Sequence, residues 1–358
     1  MRIAYLIASA NGGGAERLLI PACNFLRDVG HEVIVFAPCK GDGRARSWWE
    51  NAGIKYFIQN NTFTHDPMFI FWLRSYFKAW KPDLIWTSHD DITQVGQYIG
   101  KELRIPVVSW HHINYLYCSL IHTGGDTCLW VSDARSTTEM LAQHLSAERL
   151  AHWPPPLFQE NPSKLAQPWQ PGTPLRFGSV GRLHYHKGYD VLIKALSLLD
   201  DETRSIPFHI TIVGDGPEQH NLQSLISQYN LQNYITLAGF MADPQPFLST
   251  LHLSINPSRL ESLCNAAHEA MNLGLPCIAT DVAELKYSVE NNKTGWSVPS
   301  EDPIALSNAL KEALHNPHTL ASMGQNARDY VSQTFSQEAF SQNGYRVLEK
   351  IYNLTGLK

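Results

Sequence analysis

The chain has 358 residues, of which 44% are hydrophobic and 17% charged; on a scale of roughly 150 residues per domain that is material for two buried cores, and it excludes a disordered chain. With 28 Lys and Arg against 33 Asp and Glu the net charge is -5, which excludes a general basic field for nucleic acid. The residues up to Gln170 hold 15 basic and 15 acidic side chains and the rest 13 and 18, so attraction for an anion must come from a local site.

In chain order, short apolar runs rich in β-branched and aromatic residues alternate with stretches of helical period. Residues 3–7, 31–36, 83–87, 106–110 and 128–131 read as strands. Between the first two, residues 15–29 put Leu18, Leu19, Ala22, Phe25 and Leu26 on one helical face, with Gly30 placed to cap the end. Strands so poor in polar residues must be covered on both faces, which predicts a parallel sheet clothed by helices. The segment from Pro154-Pro155-Pro156 to Pro174 has no helical period and reads as the interdomain linker. Beyond it the alternation restarts, with strands at 176–180, 209–213, 235–238, 252–256 and 277–279 and helices at 190–199 and 218–229. The expectation is an α/β protein of two Rossmann-like doubly wound domains facing across a cleft: 1–165, with a C-terminal helix within 337–358 packing back onto it, and 166–336. In such sheets ligands sit beyond the carboxyl ends of the strands.

The six cysteines contain no C-x-x-C pair and lie in apolar runs, as reduced thiols in a cytosolic protein do. The apolar run 3–10 is short for a signal peptide and leads into Asn11-Gly12-Gly13-Gly14. No uninterrupted apolar stretch approaches the ~18 residues of a membrane span.

Three constellations follow strands. Gly12-Gly13-Gly14-Ala15-Glu16-Arg17 opens the first helix. It is either a backbone cradle for a phosphate or a tight turn. A dinucleotide fingerprint fails, because its third glycine would fall at Arg17 and the second strand runs into Ala37-Pro38-Cys39 with no acid for a ribose. Gly181-Arg182-Leu183-His184-Tyr185-His186-Lys187-Gly188 carries two long cations five apart, able to converge on a diphosphate or simply solvated. Finally, Glu261 and Glu269, in Ser258-Arg259-Leu260-Glu261-Ser262-Leu263-Cys264-Asn265-Ala266-Ala267-His268-Glu269, place one carboxylate in an entry loop and one in a helix. They either reach two parts of an elongated ligand or are an ordinary helix-start acid and a paired buried acid. Two histidines, His111 and His112, follow the strand 106–110 as a structural cap, half of a metal site, or catalytic groups. Residues 66–81 interleave aromatics with Arg74, Lys78 and Lys81, which suits either a core helix or one lying on a bilayer surface.

These motifs, in this order, resemble the retaining glycosyltransferases of family 4 with the GT-B architecture: Gly-Gly-Ala-Glu-Arg, Gly-Arg-Leu followed by Lys-Gly, Gly214-Asp215-Gly216-Pro217, and E-x7-E with Glu-Ala-Met and Gly-x-Pro behind it. The resemblance implies that Arg182 and Lys187 bind the donor's diphosphate and that Gly13, Gly14 and Gly214 line the donor pocket. It implies further that Glu261 contacts the donor sugar, that Glu269 bonds the ribose, that Leu263, Cys264 and Asn265 present backbone to sugar and phosphate, and that Phe240 and Met241 pack the nucleobase. His112 is the matching histidine of the first domain, with His111 as the competing neighbour. The implied activity is transfer of a sugar from a nucleotide-diphosphate donor, UDP-linked, to a hydroxyl of a glycan or lipid-linked glycan in cell-surface polysaccharide or lipopolysaccharide synthesis. No metal or other cofactor is expected, nucleic acid is not a partner, and the place of work is cytoplasmic with peripheral contact at the membrane face. A sugar-nucleotide epimerase, an inverting transferase, an NAD-dependent oxidoreductase and a silent sugar-nucleotide-binding subunit are the rival readings.

Overall fold

Parallel pairing accounts for the near absence of polar residues from the strands. A computed structural model describes residues 1–12, 14–38, 43–59, 64–112, 127–157, 162 and 164–357. Gly13, one of the expected donor-site residues, lies outside them, as do Cys39 and Cys118.

The first sheet consists of β1 (Arg2–Ile7), β2 (Glu32–Ala37), β3 (Lys55–Ile58), β4 (Leu84–Ser88), β5 (Val107–His111), β6 (Leu129–Ser132) and β7 (Leu150–His152). Its order is β3-β2-β1-β4-β5-β6-β7, parallel throughout. Every residue of β4, β5 and β6 is buried, as a sheet covered on both faces requires. The second sheet consists of β8 (Leu175–Val180), β9 (Phe208–Val213), β10 (Ile235–Gly239), β11 (Leu253–Asn256), β12 (Cys277–Thr280) and β13 (Gly295–Val298), in the parallel order β10-β9-β8-β11-β12-β13. Both sheets therefore reverse direction of growth at one point: between β1 and β4 in the first, and between β8 and β11 in the second.

The chain divides into one unit of Met1–Pro156 with Glu338–Lys358 and another of Leu157–Gln337. The division falls at 156/157 and not at 165/166. The proline run is the reason: Pro154, Pro155 and Pro156 are buried in the first unit, whereas the Leu157 N–H donates to the Phe335 carbonyl at 2.9 Å and the Ala166 N–H to Leu273 at 2.9 Å. The helix Gln337–Thr355 is tied to the first unit by aromatic stacking. Trp153 stacks on Trp110 at 5.0 Å and on Phe340 at 4.8 Å, and its Nε1–H donates to the Phe340 carbonyl. Lys350 donates to the Leu150 carbonyl at 2.6 Å.

The helix Pro67–Trp80 buries Phe69, Leu73 and Phe77, a stripe at i, i+4, i+8, against Ala4, Leu6 and Ile34 of the sheet. Each such side chain is worth about 1.5–3 kcal/mol on burial. Its composition suggests an all-round apolar helix; its packing is one-sided, leaving Met68 70% and Phe71 62% exposed. Asp66 caps its start by accepting from the Met68 N–H.

Candidate active site

Because each sheet is parallel, all its strands end at one edge, and the motif loops gather there unit by unit. In the second unit the loop after β8 carries Arg182 and Lys187, the loop after β9 carries Gly214, and Phe240 and Met241 follow β10. The loop after β11 carries Glu261, Leu263 and Cys264, and Asn265 opens the helix Asn265–Asn272 that bears Glu269. Two glycines lock these loops together. A Cβ at Gly188, which has φ +65°, would sit 1.9 Å from the Pro257 carbonyl oxygen, and one at Gly214 (φ +148°) would sit 1.9 Å from the Gly181 carbonyl oxygen. Gly214 thus has a packing reason of its own. Gly14 has none: a Cβ there would meet nothing within 4 Å, leaving open space at the start of the helix Gly14–Asp28.

The loops after β8 and β11 meet at the switch point in an ion pair. Lys187 Nζ donates to Glu261 Oε1 at 2.6 Å, and Ser258 Oγ donates to the same oxygen at 2.7 Å. Burial works against the lysine's charge, but Glu261 beside it outweighs that and raises its pKa above the ordinary lysine value. The lysine stem runs past Gly181, where a side chain would meet the Tyr189 hydroxyl at 2.7 Å. Arg182 is exposed, and among the described residues its side chain has no hydrogen-bond partner. Behind this pair, Arg259 grips both oxygens of Asp190 at 2.7 and 2.9 Å, donates to Glu301 at 2.8 Å and covers the Tyr185 ring at 4.1 Å. The Arg259 N–H also donates to the His186 carbonyl. That network fixes one loop against the other.

Leu263 and Cys264 are buried, and Cys264 adopts φ 56° at the head of the helix without a side-chain cap. The first N–H groups of a helix have no intrahelical partner, so they face a ligand or water. The Cys264 Sγ leans on Asn256 Oδ1 at 3.7 Å, and burial pushes its thiol pKa well up, so it is no nucleophile. Phe240 is 66% exposed and Met241 36% exposed, apolar surface available to a flat ring.

In the first unit the two neighbouring histidines separate. His111 ends β5, stacks on Trp130 at 4.8 Å and bonds Ser109 Oγ at 3.0 Å; burial, then the nearby His112 and His89, lower its pKa to about 3. It is a core residue. His112 lies just past the strand, its Nδ1 3.0 Å from Asp133 Oδ2 and its Nε2 3.3 Å from Ser88 Oγ, which bonds the Tyr5 hydroxyl at 2.6 Å. A buried carboxylate on Nδ1 fixes the tautomer and the ring plane. Asp133, Ser258 and Arg259 escaped the sequence reading of roles. The signal available for Asp133 was an acid two residues past the strand 128–131; the other two stand inside the quoted motif. Among the described residues no group of three or more His, Cys, Asp and Glu could hold a metal ion.

Two parallel Rossmann-like sheets, each reversing its direction of growth at one switch point, define the class: a GT-B protein. Residues 12–156 match Glycosyltransferase Family 4, and residues 163–330 match Glycosyl transferases group 1. The chain belongs to this family of glycosyltransferases. It is similar to WcaL of Salmonella typhimurium, named for colanic acid biosynthesis, at 34% identity over 190 residues, 51% of this chain and 46% of WcaL. To the amylovoran biosynthesis glycosyltransferase AmsK of Erwinia amylovora it is 27% identical over 186 residues, 50% of this chain and 45% of AmsK. The chain thus matches about half the length of these curated relatives. The fold is that of Anabaena HepE, solved in complex with UDP (TM-score 0.79, 20% identity, 98% of this chain and 100% of that one). It is also that of the lipopolysaccharide outer core galactosyltransferase WaaB in its apo form (TM-score 0.81, 16% identity, 99% of each).

Proposed function

We propose that the protein is a retaining glycosyltransferase that moves a sugar from a UDP-sugar to a hydroxyl of a glycan or lipid-linked glycan in the synthesis of a cell-surface polysaccharide or lipopolysaccharide. The observation that carries this reading is the Lys187–Glu261 pair at the β8/β11 switch point, with exposed Arg182 at the start of the same loop. In the transfer the acceptor oxygen bonds to the anomeric carbon, the bond from that carbon to the diphosphate breaks, and the acceptor proton leaves on the departing phosphate. Negative charge grows on the diphosphate, and fixed cations placed there stabilise the transition state without reorganising. Lys187, held charged by Glu261, and Arg182 fill that role, so a divalent metal is not required. Glu261 then turns to the donor sugar's hydroxyls, Glu269 to the ribose, and Phe240 and Met241 to the base.

UDP as the leaving group is supported by the nucleotide bound to the HepE fold neighbour, and the polysaccharide setting by the names of WcaL and AmsK. Work at the cytoplasmic membrane face is supported by exposed Met68 and Phe71 on a helix that also carries Lys78. None of the helices among the described residues is long and apolar enough to cross a membrane.

Screening UDP- and GDP-sugars for thermal stabilisation tests the proposal. A UDP-sugar is expected to raise the melting temperature, and Lys187→Ala and Glu261→Ala are expected to abolish that rise while melting cooperatively. A GDP-sugar acting alone would reassign the donor. A second reading, transfer with inversion, is favoured by the Asp133–His112 bond, because an imidazole oriented by a buried carboxylate is built like a general base. The anomeric configuration of the product, read by NMR, separates the two.

A further inference from the structure

The switch point of the first unit lies between β1 and β4, so the residue following β4, His89, stands where a ligand of this unit would sit. His89 has φ 83° and ψ 150°, a region that is essentially glycine's and in which a residue with a Cβ is strained. It heads the helix Asp90–Leu103 yet makes no side-chain cap bond, a position where Ser, Asp or Asn would stabilise the helix. Among the described residues its buried Nδ1 has no hydrogen bond of normal geometry. Three local rules are broken at one residue, although its carbonyl accepts from the Thr93 N–H and hydroxyl. Such strain persists where function holds it.

The surroundings point to the ligand's chemistry. The His112 ring lies 6.0 Å from that of His89. Burial, and then His112, lower the His89 pKa to about 4, so near pH 7 its imidazole is neutral, with one nitrogen donating and the other accepting. A neutral donor–acceptor ring complements a hydroxyl, which is both, and not an anion, which would call for a cation.

We infer that His89 is a substrate-contacting residue whose imidazole holds a hydroxyl of the carbohydrate bound beside His112. The inference rests on the glycosyltransferase reading above.

The test compares wild type with His89→Gly, which relieves the backbone, and His89→Asn, which tolerates positive φ and keeps a donor and an acceptor. Melting temperature is measured with and without UDP. UDP release is measured from a mixture of UDP-glucose, UDP-galactose and UDP-N-acetylglucosamine, in water alone and with octyl glucoside as acceptor. His89→Gly is expected to melt at or above the wild-type temperature and to keep its UDP-induced shift, while losing about 5-fold in UDP release, the factor for one neutral hydrogen bond. His89→Asn is expected to recover part of the loss. A fall in both arms places the hydroxyl on the donor sugar; a fall only with octyl glucoside places it on the acceptor. Rates within about twofold of wild type in both arms would overturn the inference, as would a His89→Gly protein that melts lower and has lost its UDP shift. If wild type itself shows neither UDP shift nor UDP release, the glycosyltransferase reading fails and this inference with it.

Discussion

In the second unit the crevice between β8 and β11 holds charge, with Lys187 paired to Glu261, Arg182 exposed, and Arg259 bridging Asp190 and Glu301 behind them. In the first unit the equivalent crevice between β1 and β4 is flanked by hydrogen-bonding groups: the neutral His89 imidazole, Ser88 and Tyr5, with His112 held by the Asp133 carboxylate. On the proposed function the same strand arrangement serves two tasks. Fixed cations suit a diphosphate whose charge grows as it departs, and a neutral imidazole such as that of His89 suits a hydroxyl, which needs orientation more than charge. The contrast can be tested unit by unit.

Acid is expected to have the largest effect, and to reach the first unit before the second. Burial lowers His111 to about 3 and His89 and His152 to about 4 in the first unit, and His268 to about 3 and His252 to about 4 in the second. Near pH 6.5 the unfolded chain takes up protons that the folded chain refuses. Stability is therefore full above about pH 6.5 and is lost as the pH falls toward 4. Of the ten tryptophans only Trp169 and Trp296 lie in the second unit, so tryptophan fluorescence reports mainly the first. It should change at a higher pH than circular dichroism at 222 nm reports for the helices of both units. Coincident transitions would remove the difference.

Next in size, Gly188→Ala should cost about 3 kcal/mol or more, because its Cβ would strike the Pro257 carbonyl in a left-handed backbone. Thermal melts should show the loss in the second unit. Lys187→Ala or Glu261→Ala should cut kcat by roughly 10²–10³-fold, as removal of a transition-state charge contact does. Asp133→Asn, which keeps shape but frees the His112 tautomer, should cost about 10- to 100-fold at unchanged UDP affinity; an equal loss of UDP binding would show that the first unit also handles the diphosphate. The smallest effect on stability, within about 0.5 kcal/mol, is expected for Met68→Ser with Phe71→Ser, both exposed. That double variant should nonetheless lose binding to anionic vesicles in a sedimentation assay.

The strand runs could be read from the sequence because buried parallel strands are continuously apolar, as in Leu84–Ser88 and Leu129–Ser132. Lys55–Ile58 escaped because it is an edge strand, alternately exposed and half-buried, and Gly295–Val298 because a glycine opens it. At the site, spacing alone placed Glu261 in a loop and Glu269 in a helix, as the structure has them. The Lys187–Glu261 bond was not legible, since the two residues stand 74 apart in sequence and meet only through the strand order. The separation of His111 from His112 was hidden as well, because it depends on which residue ends the strand.

The account turns on the charged crevice of the second unit, and a crystal structure of the protein with UDP tests it most directly. The diphosphate is expected within hydrogen-bond distance of Lys187 Nζ and the Arg182 guanidinium, with the Lys187–Glu261 contact lengthened as the lysine turns to phosphate. UDP bound with its diphosphate away from both side chains would contradict the account.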